Sequence, residues 1–165
     1  MKAKRITRLA LMICIALVLS YVERFFIIPI PIVGIKLGLA NLAVIVSLYL
    51  YNEADACIVS VMRVFLAVFL LGNVSGFLFS LGGAILSLAV MCLAKRVDFF
   101  SLTGTSILGA IFHNIGQILV CAVITQTMGV LFYLPVLIIA GAVCGLLNGT
   151  VANMLVKALS KQMQS

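Results

Sequence analysis

Between Phe99 and Val156 the chain carries no Asp, Glu, Lys or Arg, and neither does Leu37–Asn52 or Val64–Ala94. Uncharged runs of this length and oiliness constrain the fold more than any other feature. A soluble domain devotes about a quarter of its residues to charge. Here the share is 9%, against 65% apolar residues and a mean hydropathy of +1.35, so too little charge is present to cover a water-facing surface. Roughly 20 apolar residues in a helix cross the ~30 Å hydrocarbon layer of a bilayer. The expected fold class is therefore an all-α integral membrane protein, a bundle of about six transmembrane helices forming a single transmembrane domain over residues 1–165.

Turn and polar clusters divide the apolar runs. The expected helices are Leu9–Ile28, Leu37–Tyr51, Ala54–Leu71, Val74–Ala94, Thr105–Thr125 and Val130–Lys157. The second is short for a full crossing. It follows "IPIPIVGIK", where Pro29 and Pro31 exclude regular helix and Gly34 permits a sharp turn, so this segment reads as a loop dipping toward the membrane. Pro135 is expected in the first turn of the last helix. The basic, then apolar N-terminus resembles a secretion signal, but it lacks a small-residue cleavage site and stays apolar through Ile28, so it reads as an uncleaved first span.

Lys2, Lys4, Arg5 and Arg8 precede the first span, Lys95 and Arg96 follow the fourth, and Lys157 and Lys161 follow the sixth. With six spans these all fall on one side. The opposite side carries Lys36, with Arg24 at the end of the first span. Basic residues flank spans on the cytoplasmic side, so both termini are expected there. This asymmetry, with anionic lipid headgroups as its partner, accounts for the net charge of +7 and calls for no nucleic acid. The cysteines stand singly in apolar runs and read as packing residues, not as a disulfide framework or zinc site. Gly141, Gly145 and Gly149 recur every fourth residue, as do Gly76, Ser80 and Ala84; such small-residue faces let helices approach closely in lipid.

Arg63 lies halfway along the third span, where a charge is expensive: about 2.5–3.5 kcal/mol on insertion scales. Ala56, Ser60 and Ala67 share its helical stripe, so the guanidinium is expected to face the bundle. Two readings satisfy it: a structural partner, either Glu23 or backbone carbonyls, or an anionic ligand that brings the missing counter-charge. In the fifth span, Ser106, Ala110, Asn114, Gln117 and Cys121 form one stripe with His113 beside it. Asn41, Asn148 and Asn153 add amides, and Lys36 and Arg24 add charge at the outer mouth. Together they describe a polar pocket suited to a carboxylate or phosphate on an apolar body.

Several chemistries lack their residues. No phosphate-binding G-x-x-x-x-G-K-[ST] loop occurs, and one His without a nearby carboxylate supports no acid–base relay. No Asp-rich motif offers the carboxylates that magnesium needs. The chain is expected not to be an enzyme by itself, and no cofactor or resident metal is implied.

The segments "KLGLANLAVIVSLYLY", "VSVMRVFLAVFLLG" and "FHNIGQILV", and above all Lys36 through Asn41, Arg63, and His113-Asn114 with Gly116-Gln117, resemble the Gx transporter family, also known as heptaprenyl diphosphate synthase component I. That family is related to the substrate-binding S components of energy-coupling-factor transporters. The resemblance implies a bacterial cytoplasmic-membrane protein, a small six-helix subunit that captures a vitamin or an isoprenoid or quinone precursor and docks on a separate ATP-driven module. The synthase label implies instead a non-catalytic membrane subunit serving a separate soluble synthase. In the transport reading Arg63 neutralises the ligand, His113, Asn114 and Gln117 orient it, and Lys36 and Asn41 belong to the gate. Docking in such S components often uses an AxxxA-like face on the first helix, for which Ala10–Cys14 and Ala16–Ser20 are the nearest matches here.

Overall fold

The computed structural model of the chain describes residues 2–23, 25, 38–71, 75–97 and 99–164. Its described residues form six α-helices and no strand: α1 (Lys2–Glu23), α2 (Asn41–Leu50), α3 (Glu53–Leu71), α4 (Ser75–Arg96), α5 (Leu102–Thr125) and α6 (Leu134–Gln164), with a 3-10 segment at Met128–Tyr133. Four stretches, in α1, α4, α5 and Met128–Gln162 with most of α6, are long and apolar enough to cross a membrane. Polarity is distributed inside out: Phe69, Val123 and Phe132 are more than three-quarters exposed, while Ser47, Thr105, His113, Asn114, Gln117 and Asn148 are buried. In water that pattern would expose large apolar faces without a partner; in lipid it is the expected one. The protein is a helical membrane bundle.

The helix boundaries show where local chemistry departs from the apolar runs. α1 begins well before Leu9, because Lys and Arg are good helix formers and Arg5 is anchored: its Nε and Nη2 both donate to Asp55 Oδ1, at 2.9 and 2.6 Å. The expected continuation to Ile28 lies largely outside the described residues. α2 starts at Asn41, not Leu37, because Gly38 is left-handed (φ +69°), a conformation that only glycine adopts without strain. α5 starts three residues early, at Leu102, because the Ser101 hydroxyl caps it by accepting from the Gly104 N–H. α6 starts at Leu134 instead of Val130. A helix begun at Val130 would carry Pro135 inside, with a lost hydrogen bond and a ring clash. The chain takes a 3-10 turn first and places Pro135 in the first turn of a new helix.

One end of the bundle is marked by ion pairs. Arg5 meets Asp55, and Arg96 meets Glu53 through Nε and Nη2. Lys95 Nζ donates to the Leu48 carbonyl near the end of α2. The start of α1, the end of α2, the start of α3 and the end of α4 therefore share one face, as the basic-residue asymmetry requires. α5 packs along α4 on one side and α6 on the other, backbone against backbone. A Cβ on Gly116 would sit 2.7 Å from the Gly82 oxygen; one on Gly145 would sit 2.6 Å from Ile107 Cα. The α6 stripe Gly141–Gly145–Gly149 is the α5 seam. On α4 a close approach to α5 falls at Gly82 and Gly83, and Ala84 beside them is buried. α3 rests on α1, α2 and α4. Below it, Met12, Ala16, Val44, Leu48, Ala56, Val59, Met91 and Ala152 form one apolar core.

Candidate functional site

Arg63 is 7% exposed, and Phe65 and Phe69 of the same helix face outward. Ala56, Val59 and Ser60 are buried with it, so the stripe of small residues turns the guanidinium into the bundle. Its Nε finds no hydrogen-bond acceptor among the described residues. Glu23, at the end of α1, is the carboxylate that acts on it electrostatically.

Glu23 leads to a second residue. One of its carboxylate oxygens accepts the Gly38 N–H at 2.5 Å. The Gly38 carbonyl accepts Asn148 Nδ2 from α6 at 2.9 Å and the Asn41 N–H at 2.9 Å. A single left-handed glycine thus ties the end of α1, the start of α2 and the middle of α6 together. Asn41 is itself buried, and its Nδ2, 3.5 Å from where a Gly38 Cβ would lie, has no acceptor among the described residues. Glu23, Gly38, Asn41 and Asn148 therefore meet in one neighbourhood, and the charge of Glu23 reaches from it to Arg63. Lys36 lies outside the described residues.

The α5 residues lie along its seams with α4 and α6. Asn114 Nδ2 donates to the Leu137 carbonyl of α6 at 2.9 Å, against Gly141. His113 and Gln117 turn the other way, toward α4: a Cβ on Gly83 would come within 3.0 Å of His113 Cε1 and 2.8 Å of Gln117 Cγ. Gln117 Oε1 is buried without a donor among the described residues. α5 and α3 do not pack face to face; both lean on α4. The sequence-selected residues accordingly divide: Asn41 joins one group around Gly38, and His113, Asn114 and Gln117 lie along the α5 seams. Glu23 and Asn148 complete the first group. Each is visible in the sequence as a rare polar residue in an oily helix, but their partner, the glycine at position 38, offers no side chain to signal the contact.

Membership is decided by the chain as a whole. The profile of the heptaprenyl diphosphate synthase component I family matches residues 12–155, which takes in all of α2 to α5 and most of α1 and α6. The chain belongs to this family. As a heptaprenyl diphosphate synthase component I protein, it has no match among curated proteins and none among solved structures. The family's name attaches prenyl diphosphate chemistry to an assembly of more than one component. In this component I chain there are four acidic residues, and three are engaged within the fold: Asp55 by Arg5, Glu53 by Arg96, Glu23 by the Gly38 N–H. No cluster of three potential metal ligands occurs among the described residues.

The two small-residue pairs of α1 also separate here. Ala16 is fully buried in the core, whereas Ala10 and Cys14 are exposed on the outer face of α1.

Proposed function

We propose that this chain is the membrane-embedded, non-catalytic component I of a heptaprenyl diphosphate synthase of the bacterial cytoplasmic membrane. It retains an anionic isoprenoid near Arg63 for a separate soluble subunit that performs chain elongation. The observation that carries the proposal is the family match over residues 12–155. The engaged carboxylates support the non-catalytic role, since magnesium-assisted diphosphate departure needs acidic ligands and the fold uses these for ion pairs and a loop. In this reading Arg63 supplies the counter-charge and Asn41 a hydrogen bond. Lys36 belongs to the entrance, and His113, Asn114 and Gln117 hold α5 against α4 and α6.

A second reading, a substrate-binding subunit of an energy-coupling-factor-type uptake transporter, is favoured by the exposed Ala10–Cys14 pair on α1, a small-residue face of the kind such a subunit presents to its ATP-driven module. Purification of the tagged chain from its native membrane in mild detergent separates the two. Co-purification of a soluble, Asp-rich prenyl diphosphate synthase supports component I. Co-purification of an ATPase-bearing module instead overturns it in favour of transport.

A further inference from the structure

The two donors left without acceptors near the loop before α2 have a common explanation. We infer that Arg63, Asn41 and the N-terminus of α2 form one binding site for an oxyanion head group carried on an apolar tail. The inference deepens the ligand role proposed for Arg63 and rests on it.

α2 is ten residues long, about 15 Å at 1.5 Å per residue, half the roughly 30 Å hydrocarbon thickness. Its C-terminal end is held at the charged face of the bundle by Lys95. Its N-terminal end, carrying the positive pole of the helix dipole, therefore stops within the bundle. α2 and α3 are joined by Tyr51 and Asn52 alone, and their faces meet through Ala43, Val44, Leu48, Ala56 and Val59 in one core. Counted outward from that tight link, Ala40 on one arm stands level with Arg63 on the other. One carboxylate relates the two: Glu23 accepts the Gly38 N–H, and its charge reaches Arg63.

The chemistry of the unmatched atoms selects the ligand. Arg63 Nε and Asn41 Nδ2 are both donors, both buried, and both without acceptors among the described residues. A buried donor without an acceptor is costly, and both costs are removed by one acceptor-rich group. The charge balance points the same way. The positive charge of Arg63 and a helix N-terminus worth about half a positive charge exceed the one described carboxylate there, Glu23. A phosphate, diphosphate or carboxylate supplies acceptors and negative charge together; a cation supplies neither, and a neutral alcohol supplies an acceptor without the charge. Half-length helices whose N-termini meet an anionic group inside the membrane are an established way of building such sites.

The test uses the full chain in phosphatidylcholine nanodiscs, titrated calorimetrically with farnesyl diphosphate and, for comparison, farnesol. Farnesyl diphosphate is expected to bind, and farnesol at least about tenfold more weakly. Asn41→Asp places a carboxylate where the ligand head would sit and is expected to lower farnesyl diphosphate affinity by about tenfold or more. Asn41→Leu tests the same point without added charge and is expected to lower it severalfold; thermal melts confirm that each variant is folded. Added phosphatidylglycerol that competes would identify a lipid head group as the natural occupant, and absence of competition would identify the isoprenoid; both are oxyanions and both support the site. If both Asn41 variants bind as wild type while Arg63→Gln loses binding, the α2 terminus is no part of the site and the inference fails, though the Arg63 proposal stands. If no variant changes binding, or wild type binds neither diphosphate nor anionic lipid, both fail.

Discussion

Replacing Gly145 with alanine asks whether the α5–α6 seam is as tight as its backbone contacts indicate. The new methyl carbon would lie 2.6 Å from Ile107 Cα, 2.9 Å from the Ser106 oxygen and 3.0 Å from Ala110 Cβ. Ordinary contacts of this kind start near 3.5 Å. Two of the three neighbours are main-chain atoms of a regular helix, so no rotamer change relieves them. The helices must part by something near 1 Å, and over-packing of a close-packed interface costs about 1–3 kcal/mol. Alanine recovers about 0.5–1 kcal/mol of helix propensity over glycine, leaving a net loss of up to about 2.5 kcal/mol. Gly104→Ala is the internal control. Its methyl would meet only the Ser101 hydroxyl and the Phe100 side chain at 3.5–3.7 Å, so the propensity gain stands alone and the variant is expected to be more stable than wild type by about 0.5–1 kcal/mol. Equilibrium unfolding of the purified proteins in mixed micelles by titrated dodecyl sulfate, followed by circular dichroism, measures both. A Gly145→Ala protein as stable as Gly104→Ala would refute direct backbone packing along this seam.

Other perturbations follow from the same contacts. Arg63→Met should melt no lower than wild type, since it removes a buried charge that costs about 2.5–3.5 kcal/mol to insert; a large drop in melting temperature would show that Arg63 is a structural partner of Glu23 and not a ligand residue. Asn148→Leu should cost about 0.6–1.7 kcal/mol, the range for hydrogen bonds between membrane helices, because it strips Gly38 of its link to α6; unchanged unfolding would remove Gly38 as the joint between helices. The Arg96 guanidinium holds the Glu53 carboxyl, which lies before the apolar part of α3, below its ordinary value of 4.5. A carboxyl lowered in the folded state stabilises above the unfolded value and loses that contribution as pH falls through the folded one. Stability should therefore decline below about pH 4.5, and Glu53→Gln should flatten that decline; identical acid profiles would show that the pair carries none of it. Arg5→Gln leaves the buried Asp55 without its cation and should cost about 1 kcal/mol, partly restored by Asp55→Asn in the same protein, as read by the same micelle titration.

Much of the architecture was legible in the residues because lipid imposes a simple code. Charge-free runs show where helices cross, basic residues show which ends share a side, and a four-residue glycine repeat shows the α6 face that meets α5. Arg63 could be turned inward from the size of its stripe neighbours. What composition and spacing could not tell was which polar residues meet. Asn114 and Gln117 share a helical stripe, yet one faces α6 and the other α4, because α5 is wedged between two helices and has no single inner face. Gly38 carries no side chain to announce itself, but its left-handed backbone brings Glu23, Asn41 and Asn148 together across long separations in the chain. Local sequence thus determined that this protein lives in a membrane, and roughly where each helix runs, since both follow from the transfer of side chains out of water one residue at a time. The grouping of Glu23, Asn41 and Asn148 around Gly38 was decided by tertiary structure alone, because it depends on how helices lean on one another and on main-chain donors and acceptors that every residue type shares.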